Sequence, residues 1–322
     1  MKNTSKEAFI KEKGSKTRIG KASTSRKFLT KRRISAVLLL LLVAFFWWQN
    51  NSLVITHIDY ENPKIPSDFH GFTIVHISDL HNKAFGKEQT TLLNRVASQS
   101  PDVIVVTGDL IDRRRYNLET AMDFIHGAVA IAPTYFVSGN HEAWSGQYDV
   151  IKGQLMEAGV HVLEDDTRLI TREDSALRMV GLSDPAFLTA SYLEGTPIGK
   201  MEDQLRKWAG SDTAAQSNAT NGGEAELFTI LLSHRPEMFH LYHENNMDLI
   251  FSGHAHGGQF RLPLLGGLVA PDQGLFPKYT SGSHIHGEST MVVSRGLGNS
   301  IIPLRIFNRP EIVVVTLKSI SP

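Results

Sequence analysis

The side chains best equipped for chemistry in this 322-residue chain fall in five short clusters: Asp79-Leu80-His81, Gly108-Asp109, Gly139-Asn140-His141-Glu142, Ser233-His234 and Gly253-His254-Ala255-His256. They offer carboxylate, amide and imidazole donors, a mixed oxygen and nitrogen set that suits Mn, Fe, Zn or Co rather than Ca. Alternate residues of an extended chain share a face, so Asp79 and His81 can chelate one ion. A second ion needs a bridge, and Asp109 is the natural candidate. A carboxylate has two oxygens, can bind both cations, and lowers their repulsion at the roughly 3.5–4 Å separation of two-metal sites. Asn140 adds a neutral amide oxygen, and His234, His254 and His256 add ring nitrogens. His141, with an ordinary pKa of about 6.5, can act as an acid or hydrogen-bond donor near neutral pH. Taken singly the clusters mean little, since Gly and Asp both favour turns; the signal lies in their joint order.

Each cluster follows a run of strand formers. Phe72 to Ser78 leads to Asp79, Val103 to Thr107 to Gly108, Thr134 to Ser138 to Gly139, Leu227 to Leu232 to Ser233, and Asp248 to Ser252 to Gly253. These runs are too short for typical helices and rich in β-branched and aromatic residues. Between them, Glu88 to Ser98 and Leu118 to Val129 carry apolar residues at helical spacing. Alternating strand and helix argues for a layered α/β domain. Clusters at the carboxyl ends of its strands would converge, because that is where open α/β sheets bind ligands.

The order Asp-x-His, Gly-Asp, Gly-Asn-His-Glu, His, Gly-His-x-His resembles that of the calcineurin-like metallophosphoesterase family, over roughly residues 53 to 317. The resemblance implies a double β-sheet sandwich flanked by helices rather than a simple doubly wound sheet. It implies that Asp79, His81, Asp109 and His256 hold one divalent metal and Asp109, Asn140, His234 and His254 the second, with His141 the catalytic histidine outside the ligand set. In that family a hydroxide held by the metals attacks phosphorus, while the histidine stabilises the phosphoryl oxygens or protonates the leaving group. The stretches around Ser294 to Gly298 and Arg309-Pro310-Glu311 further resemble the membrane-associated bacterial branch.

Other features are read beside these. Arg113-Arg114-Arg115 is first a solvated loop and second a contact for an anionic substrate. Gly257-Gly258-Gln259 with Arg261, and Trp144, are candidates for the pocket rim, Trp144 equally for simple packing. Leu262, Leu264 and Leu265 fit an apolar rim or the core, and Pro271 to His286 a cover or a plain connection. Gly296-Leu297-Gly298-Asn299 lacks the full dinucleotide glycine pattern and reads as a turn. Ala209 to Glu226 reads as a mobile loop after a short helix, Lys200 to Trp208, and Glu311 to Leu317 as a closing strand.

Ile34 to Trp48 is almost unbroken apolar sequence behind Lys31-Arg32-Arg33. At about 15 residues it is shorter than the roughly 20 of a full span, but Arg32 and Arg33 can snorkel and the paired Trp47-Trp48 suits a membrane interface. No small-x-small cleavage pattern follows, and the twin-arginine match is partial because Ser35 sits where an aromatic residue is usual. The reading is an uncleaved anchor over 34–51, a basic disordered cytoplasmic tail over 1–33, and a metallophosphoesterase domain over 52–322. Residues 1–33 carry 12 Lys or Arg and two acidic residues, a balance of +10 that leaves −10 for the rest of a formally neutral chain. The positive-inside rule then places the catalytic domain on the extracytoplasmic side of the cell membrane.

The absence of cysteine excludes disulfides, thiolate chemistry and Cys-based zinc sites. The expected function is a membrane-anchored, metal-dependent phosphodiesterase or phosphatase acting on a lipid-linked or envelope phosphoester, with the membrane as partner and no nucleic acid. Two readings stand against it: a cytosol-facing hydrolase of a UDP-2,3-diacylglucosamine-type pyrophosphate, and a non-catalytic scaffold with the same fold. Metal identity, oligomeric state and the choice among monoester, diester and pyrophosphate are left open.

Overall fold

A computed structural model describes residues 19–189, 197–218, 227–299 and 302–320. The chain divides into two units, Met1–Trp47 and Trp48–Pro322. In the second, the first nine strands are β1 (Val54–Asn62), β2 (Thr73–Ile77), β3 (Val103–Thr107), β4 (Thr134–Val137), β5 (His161–Val162), β6 (Asp166–Arg172), β7 (Ser175–Gly181), β8 (Thr229–Leu232) and β9 (Leu249–Ser252). They are followed by the two-residue strands β10 (Arg261–Leu262), β11 (Gly266–Gly267), β12 (Val269–Ala270) and β13 (Gly274–Leu275), then β14 (Gly282–His286), β15 (Ser289–Val293) and β16 (Glu311–Ser319).

Two six-stranded sheets form, in the orders β1-β16-β2-β3-β4-β5 and β14-β15-β9-β8-β7-β6. The strands that lead to the clusters, β2, β3 and β4 in one sheet and β8 and β9 in the other, run parallel to their neighbours among these. Alternation along each strand divides its side chains between layers. Ile74 and Val105 face the second sheet, where they join Met179, Ile230, Phe251 and Val292, while Val75 and Ile104 face outward. That outer face of the first sheet is covered by helices α2 (Thr90–Ala97), α3 (Leu118–Ile131) and α5 (Tyr148–Glu157), and the outer face of the second by α6 (Gly199–Asn218) and α7 (Phe239–Glu244). The result is the expected double sandwich flanked by helices. The strands that lead to the clusters are buried on both faces, which explains why the sequence there shows continuous apolar runs instead of alternation.

Three boundaries differ from the expectation. The helix preceding the domain, α1 (Ile19–Asn51), starts well inside the basic segment expected to be disordered; residues 1–18 lie outside the described residues. Its stretch Thr30–Asn51 is 22 residues long with mean hydropathy 1.6, long and apolar enough to cross a membrane. The added length comes from Lys- and Arg-rich sequence, and both residue types are good helix formers. Likewise α6 runs through Ala209 to Asn218, where a loop was expected after Trp208; residues 219–226 lie outside the described residues. The sequence there, Ala-Gly-Ser-Asp-Thr-Ala-Ala-Gln-Ser-Asn, mixes strong helix formers with turn residues, so local composition does not fix the boundary. The closing strand is longer than expected, because β16 pairs with β1 along its full length as well as with β2.

Between the sheets His76 is fully buried, its ring against Phe251 at 5.1 Å between centroids. His76 Nε2 donates to Thr107 Oγ1 at 2.7 Å, Thr107 Oγ1 to Ser78 Oγ at 2.9 Å, and Ser78 Oγ to Asp79 Oδ2 at 2.6 Å. Burial pushes the imidazole down to about 3 from 6.5, so the folded ring is neutral. Between these values the unfolded chain binds a proton that the native state refuses, so His76 contributes a loss of stability as pH falls below 6.5. We predict that His76→Met flattens the acid side of the stability profile by about 1.4 kcal/mol per pH unit relative to wild type. Denaturant midpoints measured between pH 4 and 8 test this, and parallel profiles would count against it.

Candidate metal centre

Every cluster emerges just beyond the carboxyl end of its strand. Asp79 lies two residues past β2, Asp109 two past β3, His234 two past β8 and His254 two past β9; Asn140 opens the short helix α4 (Asn140–Ala143) after β4. Backbone bonds then pin the loops together: Asp79 N donates to Gly108 O at 3.0 Å, His81 N to Asp109 O at 3.0 Å, and Gly253 N to His234 O at 3.3 Å. Gly253 must be glycine, because a Cβ there would lie 1.8 Å from Ser78 Oγ and 2.5 Å from Asp79 Oδ2. Glu142, fully buried, accepts from Asp109 N at 2.7 Å, Gly139 N at 2.8 Å and Ile111 N at 3.2 Å, and so fastens the second loop to the third.

All seven expected ligands come together, each at least 94 % buried. Asp79, His81, Asp109 and His256 form one group of facing donor atoms, and Asp109, His234 and His254 a second. Asn140 Oδ1 joins the second group at 3.2 Å from His234 Nε2. Asp109 belongs to both: its Oδ2 lies 3.6 Å from His81 Nε2 and 3.3 Å from His234 Nε2. Its Oδ1 accepts from the backbone N–H of His141 at 2.8 Å.

The donor set fits divalent metal. His234 Nδ1 donates to Thr107 O at 2.7 Å, which fixes the tautomer whose free Nε2 faces the cluster. Burial keeps the His81 and His256 rings neutral, the latter pushed down to about 4, as a ligand imidazole must be. At His234 burial also opposes charge, yet Asp109 overrides it and holds the ring up to about 10. The buried carboxylates therefore draw positive charge into the cluster. Metal ions would satisfy the same demand.

His141 is buried beside the cluster, its ring edge-on to His81 at 4.4 Å between centroids. Arg113 N–H points at Nδ1 at 3.2 Å, and Asp112 Oδ1 lies 3.5 Å from the same atom. Burial lowers its pKa, but Asp109 and the hydrogen bond to Asp112 outweigh that and hold the group above the ordinary histidine value. In the tautomer whose Nδ1 accepts from Arg113 N–H, and in the doubly protonated ring, Nε2 carries a proton.

A cavity of about 370 Å³ opens over Asp109, Asn140, His141, His254 and His256. Arg113 and Arg114 line it, together with Trp144, Gln259, Val269, Pro271 and Ile302. Trp144 is a wall of the site, 4.8 Å beneath the Arg113 guanidinium. Arg261 is not among the lining residues; its Nη1 donates to Gly257 O and Thr280 Oγ1. Leu262, Leu264 and Leu265 are exposed. The Gly296 to Asn299 turn packs beneath the first cluster, Gly298 N donating to Asp79 O at 2.6 Å.

Sequence reasoning missed a polar support built on the buried Arg235 and Asp184. Arg235 holds Asp184 through two bonds of 2.7 and 2.9 Å and also reaches Asp272. Asp272 Oδ2 sits 3.0 Å from His254 Nε2, a carboxylate that orients the ring so that Nδ1 faces the second group. Arg235 adjoins the Ser233-His234 cluster and was legible by position; Asp272 and Asp184 carry no spacing signal.

A buried dinuclear donor set at the rim of a double sandwich defines a metal-dependent phosphoester hydrolase. The family profile of calcineurin-like phosphoesterases matches residues 72–258, and the chain belongs to that family. It is 29% identical over 259 residues to the uncharacterized metallophosphoesterase YkuE of Bacillus subtilis (strain 168), covering 79% of this chain and 82% of that protein. It is 28% identical over 252 residues to the phosphodiesterase YaeI of Escherichia coli (strain K12), covering 76% and 82%. It is also 28% identical over 305 residues to the UDP-2,3-diacylglucosamine pyrophosphatase LpxG of Chlamydia muridarum (strain MoPn / Nigg), covering 82% and 88%.

Because Asp109 faces both groups, Asp109→Ala is expected to lose both ions, whereas His141→Ala is expected to keep its metal and lose turnover by about 10²–10⁴-fold. Metal analysis beside kinetics on an aryl phosphodiester separates the two. Activity that survives thorough chelation, or full activity in both variants, would sink this assignment.

Proposed function

We propose that this chain is a membrane-anchored phosphoesterase acting on a lipid-linked or envelope phosphoester, one with a further anionic group beside the scissile phosphate. Asp79, His81, Asp109 and His256 hold one divalent ion in this reading, and Asp109, Asn140, His234 and His254 the other. When bound, the ions supply an acidified water, an oriented phosphate and neutralisation of the charge that develops in an in-line displacement. His141 Nε2–H donates to a phosphoryl oxygen or to the departing oxygen, and Arg113 with Asp112 holds the ring in place from the Nδ1 side.

The observation that carries the substrate class is the mixed lining of the cavity. Arg113 and Arg114 line it together with the apolar Val269, Ala270, Pro271 and Ile302. Arginine is suited to hold phosphate by paired hydrogen bonds. A substrate with a charged head and an apolar body matches both, and LpxG, by its name, acts on a diacylated nucleotide pyrophosphate. The apolar stretch Thr30–Asn51 supports the anchor. The basic residues before it support an inside amino terminus and an extracytoplasmic catalytic domain. The cytosol-facing pyrophosphatase is the second reading, favoured by that relative's name.

Two measurements test the proposal. Asp174, exposed in the turn between β6 and β7, is a labelling position in a chain without cysteine. Asp174→Cys is expected to react with an impermeant thiol reagent on intact cells; reaction only after lysis gives the cytosolic orientation instead. For a phospholipid headgroup ester in mixed micelles, kcat/KM is expected to exceed that of its water-soluble headgroup analogue by about tenfold, because the anchor confines enzyme and substrate to one surface. Arg113→Ala and Arg114→Ala are each expected to raise KM by about tenfold for a pyrophosphate-linked substrate and far less for an aryl monoester. Equal or better turnover of the soluble analogue, with KM unmoved in both variants, would remove the lipid and second-anion readings.

A further inference from the structure

The guanidinium of Arg235, the residue directly after His234, is buried, and burying that charge is costly unless it is paired and hydrogen-bonded. Three carboxylates pair it. Nε and Nη2 donate to Asp184 Oδ2 and Oδ1 at 2.7 and 2.9 Å, Nη1 donates to Asp272 Oδ2, and Glu237 Oε1 lies 3.6 Å from Nη1. Both Glu237 oxygens are buried and accept no hydrogen bond, so the charge there is met by the guanidinium. Nη1 also lies 3.1 Å from His254 Nε2. Glu237, His254 and Asp272 are by themselves spaced to hold a cation, and Arg235 Nη1 lies within 3.6 Å of all three. The chain's own guanidinium thus fills a third donor group beside the two of the metal centre.

The backbone that carries Arg235 is fixed. Tyr242, fully buried, donates its hydroxyl to Arg235 O at 2.7 Å and shares a bond of 2.7 Å with Ser233 Oγ, and Pro236 opens a short 3-10 turn, Pro236–Met238. The partners of its side chain come from separate elements, Asp184 from just past β7 and Asp272 from the turn between β12 and β13. Asp272 has φ 54°, a left-handed conformation in which aspartate is enriched over most other residues. The hairpin that ends in this turn supplies Val269, Ala270 and Pro271 to the cavity lining. Asp272 Oδ2 therefore joins that lining to the ring of His254 on one side and to Arg235 on the other.

We propose that Arg235 is a positioning residue that sets the second metal site and the apolar lining of the cavity together. Its fork holds Asp272 in line with Asp184. Asp272 in turn holds His254 with Nδ1 toward the second donor group, and the same bond keeps the β12–β13 turn against the metal loops. Planar geometry matters here. The Nε and Nη2 pair grips one carboxylate while Nη1 remains for another, an arrangement that the single ammonium of lysine does not reproduce. Metal affinity and substrate affinity then both depend on a side chain that belongs neither to the two donor groups nor to the cavity lining. This role rests on His254 being a ligand of the second ion.

The test titrates the full chain with Mn(II) and follows it by electron paramagnetic resonance. Wild type is expected to reach the exchange-coupled spectrum of two ions bridged by Asp109. Arg235→Met, which keeps the length of the side chain and removes the fork, is expected to bind its first ion normally and its second about 10- to 100-fold more weakly, as when a group behind a metal ligand is lost. An uncoupled spectrum then persists over the intermediate range. At saturating Mn(II) its kcat on an aryl phosphodiester is expected to recover while KM stays about tenfold raised, because the hairpin has lost its tie. A support that only added stability would move neither the interval between the two ions nor KM at saturating metal. Arg235→Met leaves Asp184 buried and unpaired, so the double variant Asp184→Asn, Arg235→Met is measured beside it, with Asn retaining the bond from Ala186 N. Arg235→Lys is expected to behave as Arg235→Met does, and full second-ion affinity in Arg235→Lys overturns the fork. His254→Ala is the control for the ligand assignment. A coupled spectrum retained in His254→Ala removes that assignment, whereas loss of the second ion there, with second-ion affinity and KM unmoved in both Arg235→Met variants, overturns the positioning role and leaves the assignment standing.

Discussion

A single carboxylate oxygen, Asp109 Oδ2, faces both halves of the donor cluster, and the rest of the architecture follows from keeping it there. Asp109 is 99 % buried, and an ionised carboxylate so far from water is costly unless it is surrounded by positive charge and donors. Here its second oxygen takes the His141 N–H, and the rings of His81 and His234 approach the first. The residual demand for cation is the driving force for metal binding. It also explains why Glu142 lies beneath without becoming a ligand: its oxygens are spent on three backbone N–H groups, and burial, with Asp109 adding to it, pushes its pKa up to about 7.

Holding that oxygen in place requires backbone that is unfavourable in isolation. Asp79, His81, Asp109, His254 and His256 all have φ between 46° and 64°, in the left-handed region that non-glycine residues rarely occupy. Each such residue costs on the order of 1–3 kcal/mol and persists only where its surroundings over-determine it. The surroundings are the two sheets, whose cluster-bearing strands are almost wholly buried and joined by parallel ladders, so the loop roots do not move independently. The chain from His76 through Thr107 and Ser78 to Asp79 carries the same constraint from the sheet interface into the site.

The clusters were legible in sequence because metal ligation demands particular side chains, and strand ends demand β-branched runs before them. Asp79, His81, Asp109, Asn140, His141, His234, His254 and His256 all converge for that reason. Asp272 was not legible, since a carboxylate that orients a ligand from behind needs only to reach it, and any loop can deliver one. The extent of α6 was hidden because a segment of Ala, Ser, Asn and Gly has little intrinsic preference. The bond from the His141 amide to Asp109 Oδ1 was hidden for a third reason: a backbone donor leaves no mark in composition. The exposure of Leu264 and Leu265 was ambiguous because apolar residues next to a site fit a core and a surface equally well until the hairpin geometry is known.

The helix end and the cavity are joined by polar bonds, not by a linker. Between Asn50 and the first residue of β1, Val54, lie three residues, and Ser52 N still bonds back to Trp48 O as the helix ends. Asn50 bonds to Arg305 and Asn299, while Lys83 Nζ donates to Asn50 O from the loop that follows the first cluster. Arg305 is itself buried and donates to the carbonyls of Gly298, Arg295 and Asn308. Gly298 N in turn bonds to Asp79 O, so two hydrogen-bonded segments run from the end of the apolar helix to the backbone of the first metal cluster. Any displacement of Asn50 is therefore shared with the loops that set the donor geometry.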